Sequence, residues 1–71
     1  MTERELGINL IKQGFNFYPE GNKLVIFRPE AGILAKVGIG GELSVSYSAN
    51  TPRDLVDLIG HYLHENEVQH G

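Results

Sequence analysis

Between Phe15 and Ser48 the chain breaks into four short runs rich in β-branched and aromatic residues, and this spacing constrains its fold more than any other feature. The runs are Phe15 to Tyr18, Lys23 to Arg28, Ile33 to Ile39 and Glu42 to Ser48. Between them stand Pro19-Glu20-Gly21-Asn22, Pro29-Glu30-Ala31-Gly32 and Gly40-Gly41, all rich in residues that turn a chain. Strands joined by so few residues pair with their sequence neighbours. The segment predicts a four-stranded antiparallel meander.

Helices are predicted on both sides of it. Thr2 and Glu5 have the spacing of a capping box, and Leu6, Leu10 and Ile11 recur at helical intervals until Gly14, which sets a first helix at about 3–13. On its wheel Leu6, Ile8, Leu10 and Ile11 flank an arc centred on Gly7 and Gly14, where a close packing contact is expected. Thr51 at N-cap, Pro52 at N1 and Asp54 at N3 predict a second helix from Pro52 to about Glu65, followed by a frayed tail over 66–71. Leu55, Val56, Leu58, Ile59, Tyr62 and Leu63 form its apolar face, with Asp57, Gly60, His61, His64 and Glu65 on or near the other. The order is α-β-β-β-β-α, a single small α+β domain over 1–71 whose antiparallel sheet is packed by two helices.

A chain of 71 residues can build one thin core, so added burial through self-association would help it appreciably. It has no cysteine, which excludes disulfides and thiolate metal sites and points to the cytoplasm. Charged residues interrupt the apolar positions of the N-terminal segment, so it predicts neither a signal peptide nor a membrane span. The net charge is −3, and Arg4, Lys12, Lys23, Arg28, Lys36 and Arg53 are scattered singly rather than clustered for phosphate contact.

In element order and length the chain resembles the double-stranded RNA-binding domain, a helix, a three-stranded meander and a helix. That family grips phosphates with lysines at the start of its second helix. Here the matching stretch is Pro52-Arg53-Asp54, followed by Asp57, and the lysines are missing. Nucleic-acid binding is therefore a third reading of function, needing a basic surface assembled from residues such as Lys23, Arg28 and Lys36.

Motifs for chemistry are sparse. Val37-Gly38-Ile39-Gly40-Gly41-Glu42 has the glycine density of a phosphate-binding loop, but it leads into a strand where a Rossmann fingerprint leads into a helix. It predicts a hairpin turn. Asp57, His61 and His64 share a stripe of the second helix with Glu65 nearby, and two imidazoles with a carboxylate could ligate zinc. A solvated helix face explains the same residues, and a histidine-dependent metal-binding or pH-responsive protein is the second reading. Ser44, Ser46 and Ser48 alternate as on a water-facing strand, with no histidine placed beside them. No enzyme, cofactor or catalytic residue is predicted. The first reading is a non-catalytic protein-interaction module, a homodimer or binder of another protein, of the kind found among bacterial and phage accessory proteins and inhibitors.

Register locates the expected contact surface. A three-residue loop Ile39-Gly40-Gly41, with Gly41 left-handed, would set Val37 opposite Leu43, Ala35 opposite Val45 and Ile33 opposite Tyr47 on the core face. Leu34 and Lys36 would then turn outward with Ser44 and Ser46. A four-residue Pro29–Gly32 loop would bring Val25 and Phe27 beside them, and a three-residue loop Leu24 and Ile26; the first is preferred. The expected interface is Leu34, Val25, Phe27, Lys36, Ser44 and Ser46, a patch that either the first helix or another chain covers.

Overall fold

The structure is a computed structural model that describes residues 1–39 and 43–69, with side chains through residue 66. Its elements are α1 (Glu3–Lys12), β1 (Asn16–Glu20), β2 (Lys23–Arg28), β3 (Gly32–Gly38), β4 (Val45–Tyr47) and α2 (Arg53–Gln69). The strands form one antiparallel sheet in the order β1-β2-β3-β4, so the predicted α-β-β-β-β-α meander is the fold.

Both ends of α1 are closed by local chemistry. Thr2 N donates to Glu5 Oε1 (2.9 Å) and Glu5 N to Thr2 Oγ1 (3.1 Å), the reciprocal capping box. At the other end Phe15 N donates to Leu10 O (2.9 Å) and Gly14 N to Ile11 O (3.0 Å), the pair of bonds that defines a Schellman motif. Gly14 has φ +87°, so its role is to end the helix rather than to admit a neighbour. Gly7 does meet the expectation of close packing: a Cβ built on it would lie 3.0 Å from Phe17 Cζ.

The capping box makes stability depend on acid. Bonds to Glu5 from the backbone and side chain of Thr2 hold its carboxyl below the ordinary carboxylate range. A group whose folded pKa is depressed contributes fully above its unfolded value, about pH 4.3, and loses that contribution as pH falls through the lower folded value. Glu5→Gln, which keeps an acceptor but not the charge, should therefore lower the neutral plateau slightly and flatten the dependence of melting temperature on pH below about 4.3, so that variant and parent converge in acid. An acid limb identical to that of the parent would show that Glu5 is not linked to folding.

All three hairpins differ from the sequence reading. β1 extends through Pro19 to Glu20, which pairs with Lys23 across a two-residue Gly21-Asn22 turn, with Gly21 at φ +63°. Proline is tolerated there because β1 is an edge strand. The β2–β3 connection has three residues, Pro29 to Ala31, because Gly32 takes φ +79° and pairs with Arg28. A register shift between Ile26 and Phe27 then leaves Leu34 as an extra residue on β3, since Phe27 pairs with Ile33 and Ile26 with Ala35. At the last hairpin Val37 pairs with Val45 and Ala35 with Tyr47, two residues beyond the predicted partners though on the predicted faces. The Gly41 conformation lies outside the described residues.

The bulge decides what is core. Leu34, Ala35 and Val37 all turn inward and join Leu6, Leu10, Phe15, Leu24, Ile26, Leu55, Ile59 and Tyr62 in one cluster under both helices. Leu34 is 1% exposed, so its expected place on the outer face is incorrect. Burying a leucine is worth about 1.5–3 kcal/mol, enough to favour an irregularity that leaves one residue unpaired. The Leu34 carbonyl is satisfied nonetheless, by Ser48 N (2.8 Å) and Thr51 Oγ1 (2.6 Å).

That bond alters the predicted start of α2. The Thr51 hydroxyl is committed to the carbonyls of Leu34 and Ser48, and Pro52 O accepts from Val56 N (3.2 Å), so Pro52 rather than Thr51 stands at the helix boundary. The helix also outruns its predicted end. Asn66 Nδ2 donates to Tyr62 O (2.8 Å) and Met1 O (3.0 Å), while the Met1 ammonium pairs with Glu65, and the helix continues to Gln69 where fraying was expected.

Candidate interaction surface

Because β2 is apolar at both parities, burying Leu24 and Ile26 leaves Val25 and Phe27 on the opposite face. There the register lays out two adjacent rows across the sheet. One runs Asn16, Phe27, Ile33 and the next Tyr18, Val25, Lys36, Ser46. Both helices lie on the other face, so no described element covers these rows. Tyr18 and Phe27 meet edge to face with centroids 5.6 Å apart, and Val25 is fully buried between Tyr18 and Lys36. Tyr18 is 39% exposed and Ile33 47%, which leaves apolar surface facing water.

Of the expected interface, Val25, Phe27, Lys36, Ser44 and Ser46 stand on this face, while Leu34 is in the core. Tyr18 and Ile33 were not predicted. Tyr18 was accessible in principle: a two-residue Gly21-Asn22 turn puts it opposite Val25. Ile33 comes outward through the bulge, which no local residue type announces.

The other candidate residues are not brought together. Asp57 pairs with Arg53 (3.3 Å) and His61 Nε2 with Glu65 Oε1 (2.5 Å), each one helical turn away, and His64 is exposed. Among the described residues no group of three or more histidine or carboxylate side chains is arranged to hold a metal. Lys23 and Lys36 lie on the outer face. Arg28 instead turns to the end of α1, where its guanidinium sits 4.0 Å over the Phe15 ring and donates to Gln13 O (3.2 Å). Beside it an open cleft of about 530 Å³ is lined by Gln13, Phe15, Arg28, Pro52, Asp54 and Asp57, a set without a nucleophile beside a base. Among the described residues no helix is long and apolar enough to cross a membrane.

Comparison with protein-family models, curated proteins and solved structures found no match to this chain.

Proposed function

We infer that the protein is a non-catalytic interaction module that binds another protein through the uncovered face of its sheet. One observation carries the reading: Tyr18, Val25, Phe27 and Ile33 are contiguous on a face that neither helix covers. An antiparallel sheet with one buried face ordinarily alternates to polar residues on the other. A connected apolar group at that position is the usual mark of a contact surface. Lys36, Ser44 and Ser46 border it with polar groups, as the rim of an interface does. The absence of cysteine suits work in the reducing cytoplasm.

Ile33→Glu tests the reading, since it places a charge on the exposed part of the patch. Tagged parent and variant would be compared for what they retain from the native host, with melting temperature measured on both. The parent should hold a partner that the variant loses by tenfold or more while melting within a few degrees of it. Equal retention by the two proteins would overturn the assignment of this face.

A further inference from the structure

We propose that the open edge of β4 pairs antiparallel with β4 of a second copy, joining two sheets into one of eight strands with a two-fold axis at Ser46. The inference deepens the interaction-module reading by naming the partner at one edge, and its surface is distinct from the apolar face.

The hydrogen-bond phase of β4 carries it. Gly38 N donates to Ser44 O (2.7 Å) and Ser48 N to Leu34 O (2.8 Å), with Lys36 and Ser46 paired midway between them. Closely bonded and open pairs alternate along an antiparallel ladder. Ser44, Ser46 and Ser48 therefore spend their backbone groups on β3, and Val45 and Tyr47 present theirs to the side where no described strand pairs. A second β4 related by a two-fold at Ser46 would set Val45 opposite Tyr47 of the other copy, and Tyr47 opposite Val45. All four outward groups on each chain would be satisfied.

The side chains agree with that register. Ser44-Val45-Ser46-Tyr47-Ser48 reads nearly the same in both directions about Ser46. Self-pairing would match serine with serine on the outer face and valine with tyrosine on the inner one, and aromatic with β-branched is a favourable cross-strand pair. Tyr47, 40% exposed at the edge, would gain cover from its new neighbour. The two edges of the sheet also differ in their defences. β1 carries Pro19 and Glu20, residues that blunt an edge against pairing, whereas no charged residue occurs from Leu43 to Pro52, the longest uncharged run in the chain. A closed two-fold contact of this kind uses the same strand from both copies.

The chain is free of cysteine, so Ser46→Cys gives a specific probe. Residues facing each other in an open antiparallel pair have Cα atoms about 4.5 Å apart, within the range of about 4.4–6.8 Å that a disulfide spans. Under mild oxidation Ser46→Cys should become largely a disulfide-linked dimer, while Ser44→Cys, equally exposed but offset from its own mate, should link little. Sedimentation of the parent should show a concentration-dependent dimer. Val45→Pro, which removes an outward N–H and no bond to β3, should abolish it, and Ile33→Glu should leave it intact. A parent that stays monomeric to about 1 mM, or equal linking at positions 44 and 46, would overturn edge pairing without touching the outer-face reading. A dimer lost in Ile33→Glu but kept in Val45→Pro would overturn it as well, and would assign self-association to the face.

Discussion

Replacing Leu34 with glutamate is expected to unfold the domain, whereas the same replacement one residue earlier, at Ile33, should leave the melting temperature within a few degrees of the parent. Adjacent strand residues ordinarily point to opposite faces, so the contrast itself is no surprise. Its direction is the finding. Regular pairing from the last hairpin would put Ile33 in the core and Leu34 in water, and the bulge reverses both: Leu34 is 1% exposed and Ile33 47%. A carboxylate at Leu34 would have no partner, and it must either ionise in apolar surroundings or fold as the neutral acid, at a cost of several kcal/mol added to the lost burial of leucine. A chain of 71 residues has roughly 4–10 kcal/mol in all. At Ile33 the new carboxylate stays hydrated, so the loss is confined to the packed half of the isoleucine and to strand preference, about 1 kcal/mol or less. Circular dichroism melts of the two variants decide the matter. A well-folded Leu34→Glu would show that Leu34 lies outside, and an unfolded Ile33→Glu that the bulge is misplaced.

The same pair of residues shows where the sequence is a sufficient guide and where it stops. Ser44-Val45-Ser46-Tyr47-Ser48 alternates strictly, so β4 can offer only one face to the core, and its parity against β3 follows without knowing the loop. β2 reads Leu24-Val25-Ile26-Phe27, apolar at every position, so it tolerates either face inward and cannot dictate the register of β3. That choice falls to three-dimensional packing, where inserting Leu34 beside Ala35 fills the core beneath both helices. The helix ends divide similarly. The Thr2–Glu5 box lies within one turn of chain and is legible as such. The Thr51 hydroxyl serves Leu34 O, seventeen residues earlier in the chain, and the extension of α2 depends on Met1 meeting Glu65 and Asn66. Long-range partners of that sort leave no local pattern. For the candidate surface, a four-residue loop after Arg28 predicts the outer face for Val25 and Phe27, and the structure reaches the same face through a three-residue loop and a bulge. Ile33 and Tyr18 needed the bulge and the Gly21 turn.

Gly7→Leu is expected to cost about 2–3 kcal/mol, the upper part of the range for overpacking, while Gly7→Ala should be close to neutral. The glycine is buried, and an ideal Cβ would stand 3.0 Å from Phe17 Cζ and 3.6 Å from both neighbouring ring carbons. Carbon atoms pack comfortably at about 3.5–4.0 Å, so an alanine methyl needs the ring tip to retreat by roughly half an ångström. Phe17 can give that much, since it is only half-buried and borders an open groove shared with Pro19, Leu24 and Ile39. Against this small cost stands the helix preference for alanine over glycine, about 1 kcal/mol in a helix interior, and the two nearly cancel. Leucine has no such escape, because its γ and δ carbons would occupy the volume of the ring and force α1 away from β1. The ring is thus the specific obstacle, and removing it should relieve the strain: in a Phe17→Ala background the further change Gly7→Leu should cost less than in the parent, by about 1 kcal/mol or more. Denaturant unfolding of the four proteins measures that coupling. Strictly additive losses would show that Gly7 is required for some reason other than its contact with Phe17.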